Sequence, residues 1–214
     1  MIETILPNGV AFIGCYLNRL IYSYLKRDYR SVLDVGCGAG RQLEFFRSRG
    51  FERLAGCDIK YNLEVDHGII EFTQLDLNDI PIVLPYKDDE FDVVLSYHVL
   101  EHIKFPGLVV REMVRVAKEI VLIIIPAGNS YESPDHIHTW ETFGDVVNDL
   151  LLPIWAFSTE LALSKIVDVP LQQGGFVICI YKNVIVDGGD FSNLSSGTTN
   201  FPLIVHIGDG QCNK

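Results

Sequence analysis

The chain has 214 residues, 48% of them hydrophobic with 12 Phe and 9 Tyr, which is enough for one substantial core and excludes a disordered chain. Its formal net charge of −11 repels phosphate backbones, so a non-specific nucleic-acid binder is excluded. Five cysteines with no C-x-x-C pair exclude a complete disulfide framework, so reduced, buried thiols and a cytoplasmic location are expected.

The chain opens without a basic region leading into an apolar run and a cleavage site, so no signal peptide is expected. Residues 10–26, VAFIGCYLNRLIYSYLK, carry apolar side chains at helical spacing and predict an opening helix. A short apolar strand follows over residues 31–35 and runs into glycines. AGRQLEFFRSRG, residues 39–50, predicts a helix with Leu43 and Phe46 on one face and Gly50 as its stop. RLAGCDI, IIEFTQLDL and FDVVLSY read as the second, third and fourth strands. PGLVVREMVRVAK, residues 106–118, predicts a helix with proline at its start, and EIVLIII a fifth strand. The apolar run around that strand, IVLIIIPAG, is far shorter than the roughly 20 residues that span a bilayer, so it reads as a buried parallel strand and no membrane span is expected.

This alternation of strands and helices predicts a doubly wound α/β fold with a parallel sheet covered on both faces. A polar, turn-rich stretch follows, then a helical pattern over residues 142–155. STELALSKIVDV and FVICIYKN are joined only by PLQQGG, too short for a crossover helix, so this pair is expected to be antiparallel. One domain over residues 1–186 is expected, with a Gly/Ser/Asn-rich tail at 187–214 that allows one short strand at 202–207.

The chemistry concentrates at the strand ends. VLDVGCGAG places Gly36, Gly38 and Gly40 between the first strand and its helix, where small residues admit a ligand close to free helix N–H groups. The spacing is G-x-G-x-G, with Arg41 where a dinucleotide fingerprint wants its third glycine. The same cluster also suits a tight turn with no ligand. Asp58 closes the second strand, where a carboxylate can accept both hydroxyls of a ribose. Asp76 follows the third strand, and Asp79 is its rival in the next turn.

This order of motifs resembles the class I S-adenosylmethionine-dependent methyltransferases, in particular the broad group that includes the ubiquinone/menaquinone-biosynthesis enzymes. The resemblance runs over residues 31–126. VLDVGCGAG is similar to the family's first motif, CDI to its ribose-binding acid, QLDL to its adenine-side motif and FDVVLSYHVLEHI to its fourth. It implies a Rossmann-like, mostly parallel sheet of seven strands with an antiparallel last strand. S-adenosyl-L-methionine is the implied cofactor. Asp34, Gly36, Cys37, Gly38 and Gly40 would line its methionine end, Asp58 and Ile59 its ribose, and Asp76 and Leu77 its adenine. Ser96, Tyr97 and His102 would border the methionine portion, with His98 near the methyl group. Cys37 reads as a small filler rather than a nucleophile. DHIHTW follows the fifth strand, where this fold places a substrate-facing loop. His138 and His98 are therefore the candidate general bases, and His136 and Trp140 the candidate substrate contacts. The implied reaction is in-line methyl transfer to a small or partly apolar acceptor, by a monomer or homodimer. Tyr16 and Tyr22 of the opening helix could close over the cofactor.

SYHVLEH also spells His-x-x-Glu-His, an inverted zinc-peptidase motif. That chemistry needs His98 and His102 inside one helix, whereas His98 follows an apolar strand, so no metal is expected there. The competing readings are a metallohydrolase built on His98, Glu101 and His102, and a cofactor-binding scaffold or regulatory protein without turnover.

Overall fold

In the computed structural model, residues 25, 28–64, 68–126, 134–155, 163–168, 175–181 and 203–207 are described. The helix expected at residues 10–26, with Tyr16 and Tyr22, lies outside them apart from residue 25. Five strands follow in chain order, with α-helices among the described residues only after β1 and β4: β1 (Ser31–Val35), α1 (Arg41–Ser48), β2 (Arg53–Asp58), β3 (Ile70–Gln74), β4 (Phe91–Tyr97), α2 (Pro106–Val116) and β5 (Ala117–Pro126). A short 3₁₀ turn, Leu100–His102, follows β4. After β5, α3 (Phe143–Val146) passes through a π-helical turn, Val147–Leu151, into α4 (Leu152–Trp155), and then come β6 (Leu163–Asp168), β7 (Gly175–Tyr181) and β8 (Leu203–Ile207).

The sheet order is β3-β2-β1-β4-β5-β7-β6-β8. Strands β1 to β5 pair with one another in parallel. The order reverses at β1, which lies between β2 and β4, so the crevice at the carboxyl ends of β1 and β4 is the switch point of the sheet. The expected hairpin is present: β6 and β7 are antiparallel, with Lys165 opposite Cys179. Eight strands pair among the described residues, and β7, antiparallel to both neighbours, lies between β5 and β6. The eighth strand, β8, joins by pairing parallel to β6.

Both faces are covered, and alternate side chains of each strand go to opposite faces. Leu33, Val94 and Val121 pack with Val109, Val110 and Met113 of α2 and with Trp140. Val32, Leu95 and Leu122 pack with Leu43 and Phe46 of α1 on the other face.

A charged clamp holds the approach to β4 against α2. Glu112 accepts from the Leu84 N–H (3.0 Å) and from Arg115 Nη2 (2.7 Å). Arg115 also donates to the carbonyls of Leu84 (2.8 Å) and Tyr86 (2.9 Å). Glu112→Ala strands a buried N–H and the arginine's partners, so it should lower stability by about 3 kcal/mol in urea unfolding. A loss below about 1 kcal/mol would place the clamp outside the cooperative core.

Candidate functional site

The site begins where β1 ends. Gly36 has φ 80°, and a Cβ there would overlap both methyl groups of Val99, so only glycine lets this turn pass under the segment after β4. The N–H groups of Gly36 and Cys37 donate to the Cys57 carbonyl (2.8 and 3.1 Å), tying the turn to the end of β2. Gly38 N–H donates to Asp58 Oδ2 at 2.8 Å, and nothing lies within 4 Å of where a Gly38 Cβ would point. Gly40, at φ 77°, opens α1.

Asp34, on the penultimate residue of β1, is 2% exposed. Among the described residues its Oδ1 has no hydrogen-bond partner. Burial, and then the neighbouring Asp58 charge, push its carboxyl up to about 7. An orphaned buried acid beside a second acid is the arrangement that a cationic ligand would relieve.

These groups face a cavity of about 820 Å³. Asp34, Gly36, Cys37, Gly38, Asp58, Ile59, Asp76, Leu77, Tyr97, His98 and His102 all reach its wall, so eleven sequence-predicted residues converge on one space. Cys37 is buried and packed against Gly56, and burial followed by the Asp34 and Asp58 charges pushes its thiol far up, away from nucleophile chemistry. Asp76 Oδ1 accepts from Asn78 N–H (2.8 Å), which fixes the turn after β3, while Asp79 is exposed and off the wall.

His98 continues the ladder by donating its N–H to the Ile124 carbonyl (2.9 Å). It then turns into the left-handed region at φ 53°, a conformation non-glycine residues seldom hold outside constrained sites. Its ring stacks on Tyr97 at 4.7 Å. Burial first, then the nearby His136 and His102, lower its pKa, so it is neutral at neutral pH.

The remaining candidates do not line the cavity. Ser96 is fully buried in β4, and Gly40 serves the helix start. His138 Nε2 donates to the Ile103 carbonyl (2.9 Å), and its ring stacks on Trp140. Trp140 is fully buried, with its indole N–H on Asp149 Oδ2 (3.1 Å), which makes it a core residue. His136 sits behind the wall, edge-on to His102. Sequence reasoning missed Gln42, Asn78, Val99 and Ile103, which do reach the wall. Gln42 could have been found from its place in the first turn after the glycines.

The wall carries three carboxylates, Asp34, Asp58 and Asp76, against one guanidinium, Arg41, which is paired with Glu64 at 3.1 Å. A pyrophosphate finds no surplus cation here, and the Gly38 N–H that would greet it is already given to Asp58. A doubly wound sheet with an acid-lined crevice at its switch point places the candidate ligand site of this α/β protein where its charge suits a cationic group better than a phosphate.

Residues 33–125 match the family described as a methyltransferase domain. Over 103 residues the chain is 34% identical to ajmaline N-methyltransferase of Rauvolfia serpentina, a match covering 45% of this chain and 35% of that protein. It is 31% identical over 97 residues to the ubiquinone biosynthesis O-methyltransferase of Pseudomonas syringae pv. tomato, covering 42% and 40%. The chain thus spans about a third to two fifths of these relatives' length. A SAM-dependent methyltransferase structure from Archaeoglobus fulgidus superposes with a TM-score of 0.59 at 18% identity, covering 79% of this chain and 93% of that one, a likeness of fold. Over residues 33–125 the chain is thus similar to S-adenosylmethionine-dependent methyltransferases, in sequence and in fold.

The buried acid gives a test without any ligand. The folded carboxyl of Asp34 titrates near 7 against 3.8 for a free aspartate. The folded state therefore loses stability as pH rises from about 4 to about 7, a penalty on the order of 4 kcal/mol when complete. Asp34→Asn should unfold later than wild type at pH 8 and at nearly the same point at pH 4. A variant less stable at both pH values would contradict the assignment.

Proposed function

We propose that this protein is an S-adenosylmethionine-dependent methyltransferase that acts on a small or partly apolar acceptor by in-line transfer. The observation that carries the reading is the acid-lined cavity at the end of the glycine turn, with the unpaired Asp34 oxygen on its wall. Bound there, S-adenosylmethionine supplies a methyl group already activated by the positive charge on its sulfur.

The chain's own residues then have separable tasks. Asp34 faces the ammonium of the methionine portion and loses its proton to do so. Asp58, oriented by the Gly38 N–H, accepts from the ribose hydroxyls. Asp76 and Leu77 flank the adenine. Tyr97 and His98 border the reacting end, where holding the partners in line can supply several kcal/mol. The lowered pKa of His98 keeps its imidazole neutral and able to take a proton from a hydroxyl acceptor, whereas an amine acceptor needs no such base. One similar protein is named an N-methyltransferase and another an O-methyltransferase, which supports either acceptor atom. Val99 and Ile103 on the wall favour an acceptor with apolar surface.

We read residues 1–186 as one catalytic domain with a tail at 187–214, working in the cytoplasm as a monomer or homodimer and without nucleic acid as substrate. No helix among the described residues is long and apolar enough to cross a membrane.

Calorimetry with S-adenosylmethionine and its demethylated product should give one site per chain with micromolar-scale affinity, and NAD should give none. Asp58→Ala should weaken binding by about 1.5 kcal/mol or more, roughly tenfold, while leaving the fold intact. NAD binding in place of S-adenosylmethionine, or unchanged affinity in the folded variant, would overturn the reading.

A further inference from the structure

At the cavity wall beside His102 and directly behind it, three metal-capable side chains meet that the proposed methyl transfer does not use. Glu101, in the 3₁₀ turn after β4, is fully buried, and among the described residues neither of its carboxylate oxygens has a hydrogen-bond partner. Such a group is costly to bury unless something positive or hydrogen-donating reaches it. One ligand atom from each of Glu101, His102 and His136 lies within 4.8 Å of the other two.

We propose that Glu101, His102 and His136 form a binding site for a divalent transition-metal ion, with zinc the ion their donor atoms fit best. Two imidazole nitrogens and one carboxylate oxygen are a zinc donor set that leaves a fourth position for water or for an atom of a bound molecule. His102 is set up for the task. Its Nδ1 lies 3.0 Å from the Asp135 carbonyl. A carbonyl only accepts, so Nδ1 carries the proton, and Nε2 is the nitrogen left with a lone pair. A second ring nitrogen tied to a backbone carbonyl is how metal-binding histidines are commonly oriented.

The third ligand is held from the far side. The N–H groups of Ile137 and His138 both donate to the Glu101 carbonyl, at 2.7 and 3.1 Å, so the segment carrying His136 is docked onto the turn carrying Glu101 and His102. The His102 and His136 rings meet edge to face at 4.9 Å. A tetrahedral ion with bonds of about 2.0–2.2 Å wants its ligand atoms about 3.4 Å apart, a difference that side-chain rotation closes. The set is not the pair that the His-x-x-Glu-His spelling suggests. His98 stands on the cavity wall, and His136 comes from the loop after β5.

The test uses the full chain stripped with a chelator and titrated with zinc chloride against a competing chelator. One zinc per chain is expected, with a rise in unfolding temperature on binding. His136→Ala should weaken zinc binding at least tenfold and remove the thermal shift, with an unchanged circular-dichroism spectrum. His136→Asn takes its place if the alanine variant fails to fold. A wild-type chain that takes up no stoichiometric zinc overturns the proposal, as does a folded variant that binds zinc undiminished. None of these readouts involves S-adenosylmethionine, so the cofactor assignment and the metal site stand or fall separately.

Discussion

A carboxylate that water barely reaches organises this end of the sheet. Asp34 is kept at the end of β1, beside Asp58, without a partner for one of its oxygens. In the ligand-free fold this is a cost, because a second acid nearby and the loss of solvent both oppose ionisation. The glycine turn makes the arrangement possible. Its N–H groups are spent on Cys57 and Asp58, which locks the acids in place and leaves open space in front of Gly38. A ligand that brings positive charge here would convert the cost into binding energy, because its charge favours the ionised acid. The fold stores at this point a local instability that such a ligand would remove.

The opposite wall is built by a different device. The chain leaves β4 in a left-handed residue, His98, and makes one tight turn, so that Tyr97, His98 and His102 face the cavity while Glu101 is buried behind them. The loop after β5 then closes over Glu101 through backbone hydrogen bonds, with Trp140 anchoring it in the core. A chemically rich stretch thereby splits between two imidazoles on the cavity, His98 and His102, and a carboxylate buried behind them that His102 shares with His136. Both depend on the same turn, so small shifts in one would be felt by the other.

Much of this is legible from letters. Uninterrupted apolar runs announce strands buried on both faces, and Ile120–Pro126 is buried throughout. Glycines after an apolar strand and an acid closing the next one foretell the crevice, because both follow from what a ligand needs at a strand end. The rest depends on contacts between distant residues. Ser96 could not be kept off the cavity, because a strand buried on both faces has no polar alternation to reveal its pointing. DHIHTW is expected as a substrate-facing loop with Trp140 a substrate contact, yet Trp140 is core, its N–H satisfied by Asp149. The burial of Glu101 depends on the loop at Ile137 docking over it. The eighth strand was foreseeable as an apolar stretch, whereas its pairing with β6 was not, since a strand's register partners leave no local mark.

The central claim is that a positively charged ligand group ionises the Asp34 carboxyl. Calorimetric titration of the demethylated cofactor at pH 6.5, repeated in two buffers of different ionisation enthalpy, measures this directly. Asp34 is mostly protonated at that pH in the free protein, so binding should release most of one proton, and Asp34→Asn should abolish the release. An observed enthalpy that is the same in both buffers for wild type would mean that Asp34 does not ionise on binding, and would contradict the account.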